Sequence, residues 1–273
     1  MKELGLAIIG FFFCFQLFSQ QSDLPEITSK TDFVIGERIT MQSKILNQER
    51  IINVYLPEGF HPDSTNRYPV IYLLDGSKHE DFIHIAGIVQ FGTYPWINLL
   101  PKSILIGIEN VDRKHDFTYP TTIKRDKKDF PTTGGSEMFI SFLKDELKPF
   151  INAKYPTADT STIIGQSLGG LLATEILYKQ PELFNNYLIV SPSLWWDNQS
   201  ILELDLKINE SKNIYLTVGK EGKIMEKDAH TLRDRLKENN NINLSFEFMD
   251  KQDHANILHL AVYNGLAAIF KKK

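Results

Sequence analysis

Six short apolar runs recur between Tyr68 and His254: "YPVIYLLDG", "KSILIGIEN", "TIIGQS", "YLIVSPS", "NIYLTVGKEG" and "LSFEFMDKQDH". The first is continuous rather than alternating, as expected of a strand buried on both faces. Helical spacing fills most of the gaps. "SEMFISFLKDELKPFINAKY" places apolar residues at 138, 139, 142, 143, 147, 150 and 151, an amphipathic pattern. "LGGLLATEILYKQ", "EKDAHTLRDRLKEN" and "ANILHLAVYNGLAAIFKKK" follow. Strands alternating with helices predict an α/β fold, a mostly parallel sheet with helices on both faces. Ahead of them, "FVIGERITMQSKILNQERIINVYLPEGF" alternates apolar and polar residues on both sides of "NQE". That predicts an N-terminal antiparallel hairpin and a mixed sheet. The stretch from Asn110 to Gly135 is polar, carries two prolines and has no periodicity. It reads as a long loop following a strand's carboxyl end, the side on which open α/β sheets bind ligands.

The first residues follow other rules. After Lys2, Leu4 to Phe18 form a near-unbroken apolar run, and polar Ser19, Gln20 and Gln21 follow. The run is short for a membrane span and has the form of a cleaved secretory signal. The expected organisation is a signal over residues 1–20, cut near Gln20, and one domain over 21–273. The expected location is exported, periplasmic or secreted, with no stable membrane anchor. The only cysteine, Cys14, lies within the signal, so no disulfide or thiol chemistry is expected of the mature chain. Lys and Arg number 30 against 34 Asp and Glu, a net charge of −4 without a basic stripe. This sets nucleic acid aside as a partner.

The stretch "TIIGQSLGGLL" carries the chemistry. Residues 165–169, "GQSLG", fit Gly-x-Ser-x-Gly, in which small neighbours let a strand and a helix pass closely around a strained serine. The pattern lies between a β-branched run and an amphipathic helix, so Ser167 is the candidate nucleophile; the plain reading is a glycine-rich turn. A hydroxyl needs a base to take its proton. His254, in "DKQDHANI", follows the last strand and precedes the last helix, in the chain order Ser, acid, His. The acid should follow the penultimate strand, where it can accept from the histidine Nδ1–H. Glu221 stands at that point, with Asp228 as runner-up and a Ser–His dyad as a third possibility. Asp253 adjoins His254 and is badly directed; solvation of a helix face is the plain reading of Glu226 and Asp228. The oxyanion donors expected are the N–H of Leu168 and that of Gly76 or Ser77 in "LLDGSKHED". His79 and His84 in "HEDFIH" are five apart, not the four that a zinc helix requires. No metal and no cofactor is expected.

With these residues in place, the chain resembles the esterase D-like branch of the α/β-hydrolase superfamily, and within it the siderophore esterases of the ferric enterobactin type. The similarity runs from "NVYLPEGFHPDSTNRYPVIYLLDG" to "DHANIL", and "IGIENVDRKHDFTYP", "GQSLGG" and "SPSLWWD" match in type and order. The chain departs where "GQS" replaces the commoner "GHS" and where the acid region reads Glu-Gly rather than a plain Asp. The resemblance implies an α/β-hydrolase fold, Ser167 as nucleophile, His254 as base and the "LLDG" loop as oxyanion donor. It also implies that Trp195, Trp196 and the 110–135 loop border the substrate cleft. Both tryptophans have core packing as their plain reading, but adjacent residues rarely both point inward, so at least one is expected in the cleft or at its rim; Arg113 is a candidate ligand for an anionic substrate or a solvated loop arginine. The function expected is a serine esterase acting on a small-molecule ester of siderophore-lactone type. The alternatives are a feruloyl or acetyl esterase on a saccharide-linked ester, and a non-catalytic binding module on the same fold.

Overall fold

The structure is a computed structural model describing residues 24–270. The expected signal over residues 1–20 lies outside them. Residues 24–34 carry no regular secondary structure, and residues from Ile35 onward form a separate compact unit. Among the described residues no helix is long and apolar enough to cross a membrane.

The compact unit is built on one eight-stranded sheet in the order β1-β2-β4-β3-β5-β6-β7-β8. Its strands are β1 (Glu37–Ser43), β2 (Gln48–Tyr55), β3 (Tyr68–Leu73), β4 (Ile104–Ile108), β5 (Thr157–Gln166), β6 (Asn186–Val190), β7 (Lys212–Gly219) and β8 (Ile242–Met249). The hairpin β1–β2 is antiparallel, as its alternation predicts, and β2 also runs antiparallel to β4; all other pairings are parallel. The six apolar runs are the six parallel strands.

Successive side chains of a strand point to opposite faces, so a strand apolar at every position feeds two cores. Val70, Tyr72 and Leu74 pack on one face with Ile104, Ile106 and Ile108, while Ile71, Leu73 and Leu105 pack on the other. The first face is covered by α4 (Ser136–Phe142), α5 (Lys148–Lys154), α6 (Leu168–Lys179) and α7 (Lys223–Lys237). The second is covered by α1 (Phe82–Gly92) and α8 (Ile257–Phe270). The amphipathic stretch from Ser136 divides at a π-helical turn, Leu143–Leu147, into α4 and α5. Pro149 has no N–H to continue the α-helical ladder, and the widened turn precedes it.

Two departures from the sequence reading concern helices. The helix α1 buries Phe82, Ile85, Ala86, Ile88 and Val89, a spacing that the strand-rich context conceals. The 110–135 stretch is not an unstructured loop. It contains α2 (Arg113–Asp116) and α3 (Lys124–Asp129), both too short to show a period. The helix α2 is anchored instead by a fully buried ion pair, Arg50 Nη1 to Asp116 Oδ2 at 2.7 Å, and capped by Asp112, which accepts from the His115 N–H.

Candidate active site

Ser167, Glu221 and His254 follow the carboxyl ends of β5, β7 and β8, on one edge of the sheet. Ser167 follows β5 directly and opens α6. Its backbone has φ 60° and ψ −119°, a conformation that a non-glycine residue adopts only under strain. The flanking glycine explains how the turn closes: a Cβ on Gly165 would meet the Gly169 carbonyl oxygen. The turn is pinned by the Ser167 N–H donating to Val190 O at 3.1 Å and the Ser193 N–H donating to Ser167 O at 3.0 Å. The Ser167 hydroxyl faces the Ser193 hydroxyl, Oγ to Oγ 3.3 Å.

His254 and Glu221 are brought together from the loops after β8 and β7. His254 Nδ1 lies 2.6 Å from Glu221 Oε2, and the carboxylate is 3% exposed against 45% for the imidazole. The second carboxylate oxygen accepts from the Ser191 hydroxyl at 2.5 Å and from the Gly219 N–H at 3.0 Å. Burial by itself would push the Glu221 carboxyl up, but the donors His254, Ser191 and Gly219 outweigh it and hold the group below the ordinary glutamate value. An ionised carboxylate on Nδ1 keeps the proton there and leaves Nε2 as the basic nitrogen. The two loops are tied to each other and to the serine turn. The Lys220 N–H donates to Gln252 O at 2.7 Å, and Gln166 Nε2 donates to the His254 carbonyl at 2.5 Å. A Cβ on Gly219 would come within 2.6 Å of that Gln252 oxygen, so the crossing requires glycine.

Asp228, the alternative acid, is buried elsewhere and accepts from Gln199 Nε2 at 3.3 Å; desolvation pushes its carboxyl up. Glu226 accepts from the N–H groups of Glu221 and Gly222 and so caps the start of α7. Asp253 accepts from the N–H groups of Ala255 and Asn256 just before α8.

Three other candidates are placed differently from the reading of the sequence. The Gly76 N–H already donates to Ile108 O at 2.9 Å, because the chain must pass close to Gly107 on the neighbouring strand. Gly76 is thereby removed as an oxyanion donor, and Ser77 is the member of that pair which stays a candidate. Leu168 begins α6, where the first N–H groups have no intrahelical acceptor. Trp196 is fully buried, with its indole N–H donating to Tyr119 O at 2.9 Å, and it stands in the core rather than at the cleft. Arg113 is about a third exposed, at the wall of a cavity beside Ser167, and is engaged by Asp75 rather than standing free as a loop arginine. Its Nε and Nη2 grip the two oxygens of Asp75 at 2.6 and 2.9 Å, and Nη2 also donates to Gln166 O at 3.3 Å.

Two open cavities are lined by Ser167, and a further one adjoins the first of them. One of about 580 Å3 is lined by Ser167, Ser193, Trp195, Glu221, Met225 and His254 among others. It shares Trp195, Glu221 and Met225 with one of about 940 Å3 that extends between α3 and the start of α7, past Ile123, Phe130 and Ile224. The third, about 420 Å3, lies on the other side of Ser167 and His254, against Asp75, Glu80, Asp81 and Arg113. Thus Trp195 and the 110–135 segment do border the cavities, through the aromatic contact of Phe130 with Trp195 at 5.9 Å between ring centroids. His79 precedes α1 and His84 lies within it, turned to Asp81 and His259. Among the described residues no group of three or more His, Cys, Asp or Glu is placed to hold a metal ion.

Sequence reasoning did not find Asp75, Asn110, Gln166, Ser191 or Ser193. All five stand inside quoted segments, Asp75 in "LLDG", Asn110 in "IGIENVDRKHDFTYP", Gln166 in "GQS", and Ser191 and Ser193 in "SPSLWWD", but the residue types alone do not show which side chains they meet.

The family described as "Putative esterase" matches residues 43–257 of this chain. The chain is 31% identical over 211 residues to the ferri-bacillibactin esterase BesA of Bacillus subtilis strain 168, covering 70% of this chain and 73% of that one. Among solved structures it is similar to the BES protein from Bacillus cereus, with TM-score 0.78, 28% identity, and 90% and 100% of the two chains covered. It is also similar to an IroE-like serine hydrolase from Shewanella oneidensis, with TM-score 0.78 and 26% identity over 86% and 80% of the two chains.

Proposed function

The chain belongs to this esterase family and is by that kinship an ester hydrolase, and we propose that it works through an acyl-enzyme on Ser167. The observation that carries the reading is the His254–Glu221 bond of 2.6 Å at a cavity that also exposes Ser167 in its strained turn. Ser167 Oγ attacks the ester carbonyl as His254 Nε2 takes its proton. Glu221 holds the resulting imidazolium, and the N–H groups of Leu168 and Ser77 receive the oxyanion. Collapse breaks the bond to the alcohol oxygen, which leaves with the proton from His254. Water, deprotonated by the same nitrogen, then releases the acid and restores Ser167. The hydroxyl of Ser167 faces that of Ser193 at 3.3 Å, and the bond from a catalytic hydroxyl to its base commonly tightens only in the substrate complex.

The substrate is a siderophore ester. The name of the Bacillus subtilis relative supports this, as do two confluent cavities of about 580 and 940 Å3 with Trp195 on their shared wall, room for a bulky aromatic molecule. The apolar N-terminal run supports an exported enzyme, periplasmic or secreted. The test is a fluorophosphonate probe and a substrate panel. Wild-type protein is expected to label at Ser167, and Ser167→Ala to lose labelling and turnover of p-nitrophenyl acetate; full turnover by that variant rejects the reading. A catecholate trilactone should exceed methyl ferulate and acetylated xylan in kcat/KM by at least tenfold, and the reverse order rejects the substrate.

A further inference from the structure

Asp75 sits in the turn after β3 with φ 55°, the left-handed conformation that Asp and Asn tolerate better than other side chains. Its carboxylate is 11% exposed and lies against the first turn of α6: a Cβ on Gly169 would be 3.4 Å from Oδ2. That places a negative charge beside Leu168 and Ser167, where the transition state of acyl transfer develops a second one. Like charges on neighbouring turns oppose each other, the more so where one carboxylate is only 11% exposed. An aspartate left alone there would work against the reaction.

It is not left alone. Arg113 grips both oxygens in the forked geometry that suits guanidinium and carboxylate, and Asn110 Nδ2 donates to Oδ1 at 2.6 Å. Through Nη2 the same guanidinium reaches the carbonyl of Gln166, the residue before the nucleophile. Arg113 thus joins the turn after β3 to the turn after β5, the two segments that supply the oxyanion donors. Its own place is set by α2, which the buried Arg50–Asp116 pair fastens to β2.

We propose that Arg113 is a positioning residue: it cancels the Asp75 charge beside the nucleophile turn and fixes the Asp75–Ser77 segment for oxyanion binding. The proposal rests on the acyl-enzyme reading above. It assigns Arg113 no contact with an anionic substrate, and so its effect extends to neutral esters.

The test combines p-nitrophenyl acetate kinetics with the rate of fluorophosphonate labelling at Ser167. Arg113→Ala is expected to lower kcat and the labelling rate 10- to 100-fold with KM changed less than twofold. Arg113→Lys keeps the charge without the fork and should retain clearly more than Arg113→Ala. The double variant Asp75→Asn with Arg113→Ala removes both charges and keeps an asparagine suited to the left-handed turn, but does not restore the bridge to Gln166; it should recover to about three- to tenfold below wild type, a coupling read from the double-mutant cycle. Unchanged kcat in Arg113→Ala, equal loss in Arg113→Lys, or no recovery in the double variant overturns the proposal. So does a rise in KM confined to anionic esters, which would make Arg113 a substrate ligand. Should Arg113→Ala not fold, the double variant carries the comparison, and a loss beyond tenfold there overturns the proposal. Wild-type labelling separates the two readings: a wild type that does not label overturns the acyl-enzyme and the role of the pair together, whereas a wild type that labels no faster than Arg113→Ala overturns the pair alone.

Discussion

Glu221 has both carboxylate oxygens occupied, one by His254 and the other by Ser191 and Gly219, so a single orientation is available to it. Ser191 gains its reach from a left-handed backbone, φ 42°, in the turn after β6. In the proposed mechanism the carboxylate does two separable things for His254: it selects the tautomer and balances the imidazolium charge. Glu221→Gln keeps the shape but presents an amide to Nδ1, and is expected to lower kcat by about 10³–10⁴-fold with little change in KM, the size seen when the acid of such a triad is neutralised. Asp228→Asn, in a pocket that His254 does not share, should leave kcat within about twofold. Equal loss in the two variants, measured by steady-state kinetics on p-nitrophenyl acetate, would contradict the assignment. The sequence places Glu221 at the right topological point and leaves Asp228 open, since both follow β7. Which of two carboxylates reaches a histidine far along the chain is decided by loop crossings such as Lys220 to Gln252, and these have no local signature.

Among elements, the parallel strands were legible as continuous apolar runs and the long helices other than α1 by their apolar period, and Ser167 was legible because a strained strand-to-helix turn requires glycine around it. The 110–135 segment was not. Its two short helices are held by polar pairs rather than by a stripe, so no period exists to be read. The same cause hid the roles of Arg113 and Trp196, whose partners Asp75 and Tyr119 lie in other segments. Arg50 and Asp116 show how much one such pair carries. Both are essentially unexposed, and the guanidinium also lies 5.1 Å above the Phe139 ring. Arg50→Ala would leave the buried Asp116 carboxylate with His115 Nδ1, 3.1 Å from Oδ1, in place of its guanidinium and is expected to cost about 3–5 kcal/mol, read as a lower urea midpoint at unchanged slope. Because α2 carries Arg113, esterase activity should fall at lower urea than the global transition in this variant. Coincident loss of activity and structure, or a cost below about 1 kcal/mol, would show that α2 is held by other contacts.

For the whole molecule, the sheet serves as a platform whose carboxyl edge gathers the turns after β3, β4, β5, β6, β7 and β8 into one site, and the same burial that makes the platform rigid sets its pH response. On the acid side, burial would raise the carboxyls of Glu109, Glu146 and Glu221, but hydrogen bonds from Arg38 and Asn53, from Ser43 and the 44–45 backbone, and from His254 and Ser191 hold all three below the ordinary range. Groups with depressed folded values stabilise the protein above their unfolded pKa, about 4.3 for glutamate, and that contribution is lost as pH falls through the folded values. On the alkaline side two effects oppose each other. Lys148, between the Tyr72 and Phe184 rings, is lowered by burial to about 8. Between that value and its unfolded pKa of about 10.4 the unfolded chain binds the extra proton, so stability rises with pH. Buried tyrosines act the other way: burial pushes Tyr119 and Tyr178 up to about 12 and Tyr72, Tyr187 and Tyr215 higher. Above about pH 10 the unfolded chain ionises its tyrosines first, and stability falls. The urea midpoint is therefore expected to drop below about pH 4.3, to rise from pH 8 toward 10 and to fall beyond it. Lys148→Met, although less stable for want of donors to Ser161 and Leu183, should lose the rise and keep the fall. A wild-type midpoint that declines steadily from pH 8, or a rise that survives in Lys148→Met, would place the alkaline response in other groups.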